Sequence, residues 1–207
     1  MAPHLAELLV DAVDGGASVG FLAPLSGAAA EHWWRSQAPA LADGSRALWT
    51  ARSAGRITGT VGLGFASYPN GRHRAEIVKL LVHRDARGRG LGRALLTTAE
   101  RAAAEAGATL LHLDTETGSP AERLYRSAGW TAAGTIPDYA ADPAGVLRPT
   151  TLYYKSLTPP GHQLGFSPSH LPRCCSMCCE FFGGTYEGGT ATCWQVLNHH
   201  GDGPLQL

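Results

Sequence analysis

The chain has 207 residues, 44% hydrophobic and 16% charged, enough to bury the core of one ordinary domain and too apolar for wholesale disorder. Lysine plus arginine balances aspartate plus glutamate at 17 each, which excludes a dedicated polyanion binder; no nucleic-acid partner is expected. No apolar run approaches the roughly 20 residues of a membrane span and no leader pattern is read, so a cytoplasmic chain without a membrane partner is expected.

Leu5, Leu8, Leu9 and Ala12 recur at helical spacing before Gly15-Gly16, which predicts a first helix over residues 2–13. A second is predicted from Ser26, a candidate N-cap, through Trp33-Trp34 to about Leu41, cut short by Pro39. Residues 46–53 and 56–65 read as strands joined by Ala54-Gly55, with Gly59, Gly62 and Gly64 weakening the second. Residues 75–82 (AEIVKLLV) have the apolar density of a central strand. Leu91, Leu95, Ala99 and Ala102 stripe the strongest helix, over 92–106, which ends at Gly107. A short strand over 110–115 precedes a helix started by Ser119-Pro120 and stopped by Gly129. Residues 130–136 and 150–155 read as closing strands around a loop rich in Asp and Pro. This order is a mixed α/β arrangement.

The chemistry concentrates in Arg87-Gly88-Arg89-Gly90-Leu91-Gly92-Arg93, between the apolar strand and the best helix. Glycines let several N–H groups converge, the helix start adds partial positive charge, and the arginines add bidentate donors: a cradle for phosphate or pyrophosphate. A basic turn that merely connects two elements is the plain alternative. Arg93 stands where a dinucleotide fingerprint needs glycine, and Arg93-Ala94 stands where a P-loop needs Lys and Ser or Thr.

Residues 87–92 fit an Arg/Gln-x-x-Gly-x-Gly/Ala signature, and Ala121, Leu124-Tyr125 and Gly129-Trp130 fit a second motif of the form A-x-x-L-Y-x-x-x-G-F/W. In both motifs and in their order the chain resembles the GNAT superfamily of acetyl-CoA-dependent N-acetyltransferases, over roughly residues 1–157. Within it, the runs 15–21, 69–76, 86–93 and 111–116 are similar to the tabtoxin-resistance type of member. The resemblance implies a GNAT fold, a mixed twisted sheet with splayed central strands and flanking helices, and acetyl-CoA as co-substrate. It places the pantetheine arm along the backbone of Leu81 and Val82 and the pyrophosphate on Arg87, Gly88, Arg89, Gly90, Leu91, Gly92 and Arg93. It makes Tyr125 the general acid. Asp114 is the favoured base and Glu76 its competitor; His112 and His83 are titratable neighbours. Where the family commonly carries Asn this chain has Gly118, and Ser119 is the candidate to replace its cofactor contact.

What the resemblance implies is acetylation of a small-molecule amine, an amino-acid-like toxin or antibiotic, with Trp33, Trp34, Tyr139 and residues 137–148 flanking the acceptor. A peptide or protein N-terminus is the other acceptor left open. The alternative is a degenerate fold that binds acetyl-CoA without turnover. Neither monomer nor dimer is indicated. Residues 158–207 form a distinct Cys/Gly/Pro-rich extension, expected to be poorly ordered. It carries all five cysteines, Cys174, Cys175, Cys178, Cys179 and Cys193. With His199 or His200 these have zinc-compatible spacing, but no metal is expected.

Overall fold

A computed structural model describes residues 1–157 and the backbone of 195–198. Helices α1 (Ala2–Asp14), α2 (Gly27–Ser36) and α3 (Ala38–Ala42) precede strands β1 (Arg46–Ser53), β2 (Arg56–Phe65) and β3 (Arg74–Val82). Then follow α4 (Leu91–Glu105), β4 (Leu110–Glu116), α5 (Pro120–Ser127), β5 (Thr131–Ala141) and β6 (Leu147–Ser156), with β7 at Gln195–Asn198. The strands form one mixed sheet in the order β5-β6-β4-β3-β2-β1-β7. Neighbours among β1–β6 are antiparallel except β3 and β4, which are parallel because α4 carries the chain back between them, and β7 lies parallel to β1. This is the predicted mixed fold. The cysteine and histidine cluster lies outside the described residues. No helix among the described residues is long and apolar enough to cross a membrane.

Two apolar layers hold the sheet. On one face α1 and α2 pack Leu5, Leu8, Leu9 and Trp34 against Leu48, Ile57 and Leu81. On the other, Leu95, Leu96 and Ala99 of α4 and Tyr125 of α5 pack against Val61, Leu63, Ile77, Leu111 and Leu113. Ile77 and Leu81 are four residues apart and would share a face of a regular strand. They lie on opposite faces because β3 carries a bulge: Thr60 pairs with Leu81 and Gly62 with Val78, so three steps on β3 answer two on β2. Lys79 lies within that interval at φ 51. Gly62 makes the bulge possible, since a Cβ there would come within 2.9 Å of Val78 Cγ2. At Gly59 a Cβ would meet Leu95 Cδ1 at 2.8 Å. These two glycines, expected to weaken β2, are what lets β3 bulge and α4 settle on the sheet.

The closing strands run further than the residue pattern suggested, and only residues 142–146 form their turn. Pro137 and Asp138 fall in an irregularity of β5 between Ile136 and Ala140, with Asp138 at φ 50. The turn is organised by Asp142, whose carboxylate accepts from the amides of Ala144 and Val146 at 3.0 Å each and from Arg148 Nε at 2.9 Å. Pro39 does not simply end a helix; it stands in the first turn of α3, where its missing N–H costs nothing.

Candidate active site

β3 and β4 are paired only at Arg74–Leu110, Ala75–Leu111 and Glu76–His112. Beyond that point the ladder ends, although β3 continues to Val82 and β4 to Glu116. A wedge opens between them. His83 N–H donates to the Thr58 carbonyl at 2.9 Å, a pairing that turns the N–H and C=O of Val82 away from β2 and those of Leu81 toward it. The Val82 carbonyl accepts from Arg87 Nε at 3.0 Å.

The open edge of β3 leads directly into the glycine-rich loop. Gly88 and Gly90 sit at φ 76 and φ 80, and Gly90 is the N-cap of α4 with no side chain capping it. Among the described residues no acceptor takes the backbone N–H groups of residues 88–93. Six consecutive amides therefore stand unpaired around a helix N-terminus, the arrangement that binds phosphate oxygens. The three arginines differ. Arg93 Nη2 donates to Ser127 Oγ at 2.6 Å and Arg87 Nε to the Val82 carbonyl, so Arg89 alone of the three has a guanidinium with no partner among the described residues. Arg84, which the motif left out, ties the loop to α1: its backbone N–H donates to Asp11 Oδ2 at 3.0 Å and its Nε pairs with Asp11 Oδ1.

Across the wedge, the second motif forms a closed helix start. Ser119 Oγ accepts from the Glu122 N–H at 3.1 Å, and Glu122 Oε2 accepts from the Gly118 N–H at 2.7 Å. Gly118 sits at φ 82, a left-handed conformation that glycine and asparagine tolerate best, so glycine fits the position where the resemblance places Asn. Glu122 is buried, and its other oxygen accepts from Tyr153 Oη at 2.8 Å and Arg126 Nη2 at 2.9 Å. Burial pushes this carboxyl up, but the bonds from Gly118, Tyr153 and Arg126 outweigh it and hold it below its ordinary value. Its signal in the sequence was the Ser-x-x-Glu capping box over 119–122.

Tyr125 lies on the same short helix, buried against Trp130 and Tyr153 with ring centroids 5.9 and 6.4 Å away. No described residue hydrogen-bonds its hydroxyl. Burial, and then the negative charge of Asp114, push the phenol well above its ordinary range, so it stays protonated. Asp114 is exposed on β4; alternation places it on the face of His112, and Glu76 is paired with His112 across the short ladder. The two candidate carboxylates thus flank the wedge on the α1 and α2 side.

The residues expected around the acceptor divide. Trp34 is core, whereas Trp33 is partly exposed and meets Phe21 edge-on at 5.5 Å. Tyr139 is exposed on β5, and the 15–26 connection is tied to the β5–β6 turn through Ala23 N–H to the Pro143 carbonyl at 2.9 Å. Lys79, not anticipated from the strand pattern, enters this region from the bulge.

Among solved structures, a ribosomal-protein-alanine N-acetyltransferase from Brucella melitensis is 25% identical with a TM-score of 0.61, covering 75% of this chain and 94% of its own. The protein yncA from Salmonella typhimurium, solved with its cofactor acetyl-CoA, is 21% identical with a TM-score of 0.59, covering 76% and 89%. A structure assigned as a phosphinothricin N-acetyltransferase is 18% identical with a TM-score of 0.62, covering 76% and 93%. Residues 14–130, more than half of the chain and spanning the cradle, the wedge and Tyr125, match the acetyltransferase (GNAT) family, and the chain belongs to that family.

Proposed function

We propose that this chain is an N-acetyltransferase that moves the acetyl group of acetyl-CoA to the amine of a small, amino-acid-like molecule, within a catalytic domain formed by residues 1–157. The observation that carries the reading is the meeting of two backbone surfaces: the amides of residues 88–93, unpaired among the described residues, and the edge of β3 beyond Glu76, where its ladder with β4 has ended. Unpaired amides are costly unless water or a ligand takes them, and a diphosphate joined to an extended amide-bearing arm suits both surfaces at once. Arg89, whose guanidinium has no partner among the described residues, adds positive charge beside the cradle.

Acetyl-CoA supplies an activated acyl group as a thioester. The acceptor nitrogen forms the bond to the acyl carbon as the carbon–sulfur bond breaks. Asp114 accepts the amine proton, with Glu76 as the alternative base, and Tyr125 gives its proton to the departing sulfur. A raised phenol pKa suits that task, because the proton is kept until a thiolate forms nearby. Ser119, at the opposite wall, contacts the pantetheine side in place of Gly118, whose N–H is taken by Glu122; the hydroxyl of Ser119 already caps α5, so its contact is secondary to the helix start.

The likeness to the tabtoxin-resistance type supports a detoxifying role against an amino-acid-like toxin or antibiotic in the cytoplasm. A second reading, acetylation of a protein N-terminus, draws on the alanine acceptor named for the Brucella melitensis structure. The test is thiol release from acetyl-CoA with amino-acid analogues, aminoglycosides, polyamines and short peptides. Release with amino-acid analogues is expected. Release with peptides only would favour the second reading, and measurable acetyl-CoA binding with no release from any acceptor would make the chain a binding module.

A further inference from the structure

Lys79 and Lys155 are the two lysines of the chain, both partly buried, and they are treated differently. Lys155 Nζ reaches Glu100 Oε2 at 2.8 Å and the Ala128 carbonyl at 2.9 Å. Lys79 Nζ donates to the Val19 carbonyl at 2.8 Å and otherwise faces rings: the centroid of Trp33 at 5.0 Å and that of Phe21 at 5.7 Å. Among the described residues no carboxylate comes within 4.0 Å of it. Burial, and then the charge of Arg46, weaken its hold on the proton; Asp114 and Glu76 oppose them from a distance. A partly buried ammonium with one of three donors used and no anion in contact is an incomplete arrangement.

The fold went to some length to put it there. The bulge at φ 51 sets Lys79 apart from the alternation of β3, and Gly20, at φ 92, lies alongside it, a Cβ there being in ordinary contact with Nζ at 3.8 Å. The aromatic rings hold a cation without neutralising it. The groups that act on this ammonium are Arg46, whose guanidinium donates to Gln37 Oε1 at 2.5 Å, together with Asp114 and Glu76. Negative charge is thus supplied on the side where an amine is to lose its proton, and positive charge with spare donors stands beside it.

We propose that Lys79 is a specificity-determining residue that binds a carboxylate carried by the acceptor, so that the molecule acetylated is an amino acid held at both ends. Its ammonium grips the acid while the amine lies toward Asp114 and Glu76. This rests on the acetyltransferase reading and sharpens its substrate class, from amino-acid-like amines to those whose free carboxylate is bound by Lys79.

The experiment compares thiol release from acetyl-CoA by free α-amino acids and by their carboxamides, using the full chain. Wild type should favour the acids through KM by roughly 10- to 100-fold, the worth of a charged hydrogen bond. Lys79→Met should erase that preference while leaving turnover of the amides, and Lys79→Arg should keep most of it. Both variants bear the same positive-φ strain, and their melting curves report any loss of fold. A preference that survives in Lys79→Met, or acids and amides used alike by wild type, overturns the proposal and leaves the acetyltransferase reading intact. So does acetylation of Lys79 itself, read by intact mass and peptide mapping, because it would make this nitrogen a nucleophile instead of an anchor. Failure to bind acetyl-CoA by calorimetry would instead remove the parent reading.

Discussion

The chain begins two helices beside the wedge with a left-handed glycine close at hand, and it finishes them in opposite ways. At α5 the amides are taken internally: Ser119 caps Glu122, Glu122 reaches back to Gly118, and Pro120 has no N–H to satisfy. At α4 the N-cap is Gly90 itself, no side chain caps it, and six amides in a row stay unpaired among the described residues. A missing cap costs about 1 kcal/mol, so a helix start left open is a cost that a ligand can recover. The closed start serves instead to hold Tyr125 and Glu122 in place. On the proposed reading one terminus binds and the other positions, although both use the same local glycine geometry.

That contrast can be broken most severely at Tyr125. Tyr125→Phe should lower turnover by roughly 10²- to 10⁴-fold, the usual worth of a general acid, while calorimetry shows acetyl-CoA affinity unchanged. Because burial and Asp114 raise the phenol pKa, the wild-type rate should show no alkaline loss from Tyr125 ionisation up to about pH 10. Wild-type turnover in the phenylalanine variant would remove Tyr125 from the chemistry.

Glu122→Gln tests the closed terminus as a structural device. It should destabilise the fold by about 1–3 kcal/mol in urea unfolding, because a buried acceptor of three bonds is weakened. The folded-state pKa of Glu122 lies below its ordinary 4.5, so its ionic contribution is fully present above that value and is lost as pH falls through the folded pKa. Wild type and variant should therefore converge in acid; a gap that stays constant from neutral to acidic pH would mean the charge contributes nothing.

Gly90→Ala tests the open terminus. A Cβ meets nothing within 4 Å there, so the effect comes from placing an L-residue at φ 80, about 1–2 kcal/mol. Acetyl-CoA affinity should fall roughly tenfold with kcat nearly retained, and unchanged affinity would argue that these amides hold nothing. The smallest effect belongs to Ser119→Ala, which should cost about 1 kcal/mol of stability by thermal melting. A matching loss of cofactor affinity would show that the hydroxyl both caps and contacts.

The order of elements from residue 46 onward was readable because each carries its own period and punctuation: a β-branched run at 75–82, an apolar stripe from Leu91 to Ala102, Gly107 and Gly129 as stops. The cradle was equally local, since glycines at 88 and 90 and the missing capping side chain lie within a few residues. Reading failed where a residue's partner is far along the chain. Gly62 looks like a weakness in β2 until Val78 is placed against it. Pro137 and Asp138 look like loop residues until an irregular strand pairing accommodates them.

What this sequence determined by itself is therefore the run of helices and strands and the loop of unsatisfied amides, because periodicity, capping and glycine torsions act over a single turn or strand. Tertiary structure alone decided that β3 and β4 part after three residue pairs, that Lys79 contacts no carboxylate among the described residues, and that Tyr153 reaches from β6 to the buried Glu122 and to Arg126 of α5. Those facts depend on where a sheet stops pairing and on which distant groups share low-dielectric space, and neither is encoded in the spacing of neighbouring residues.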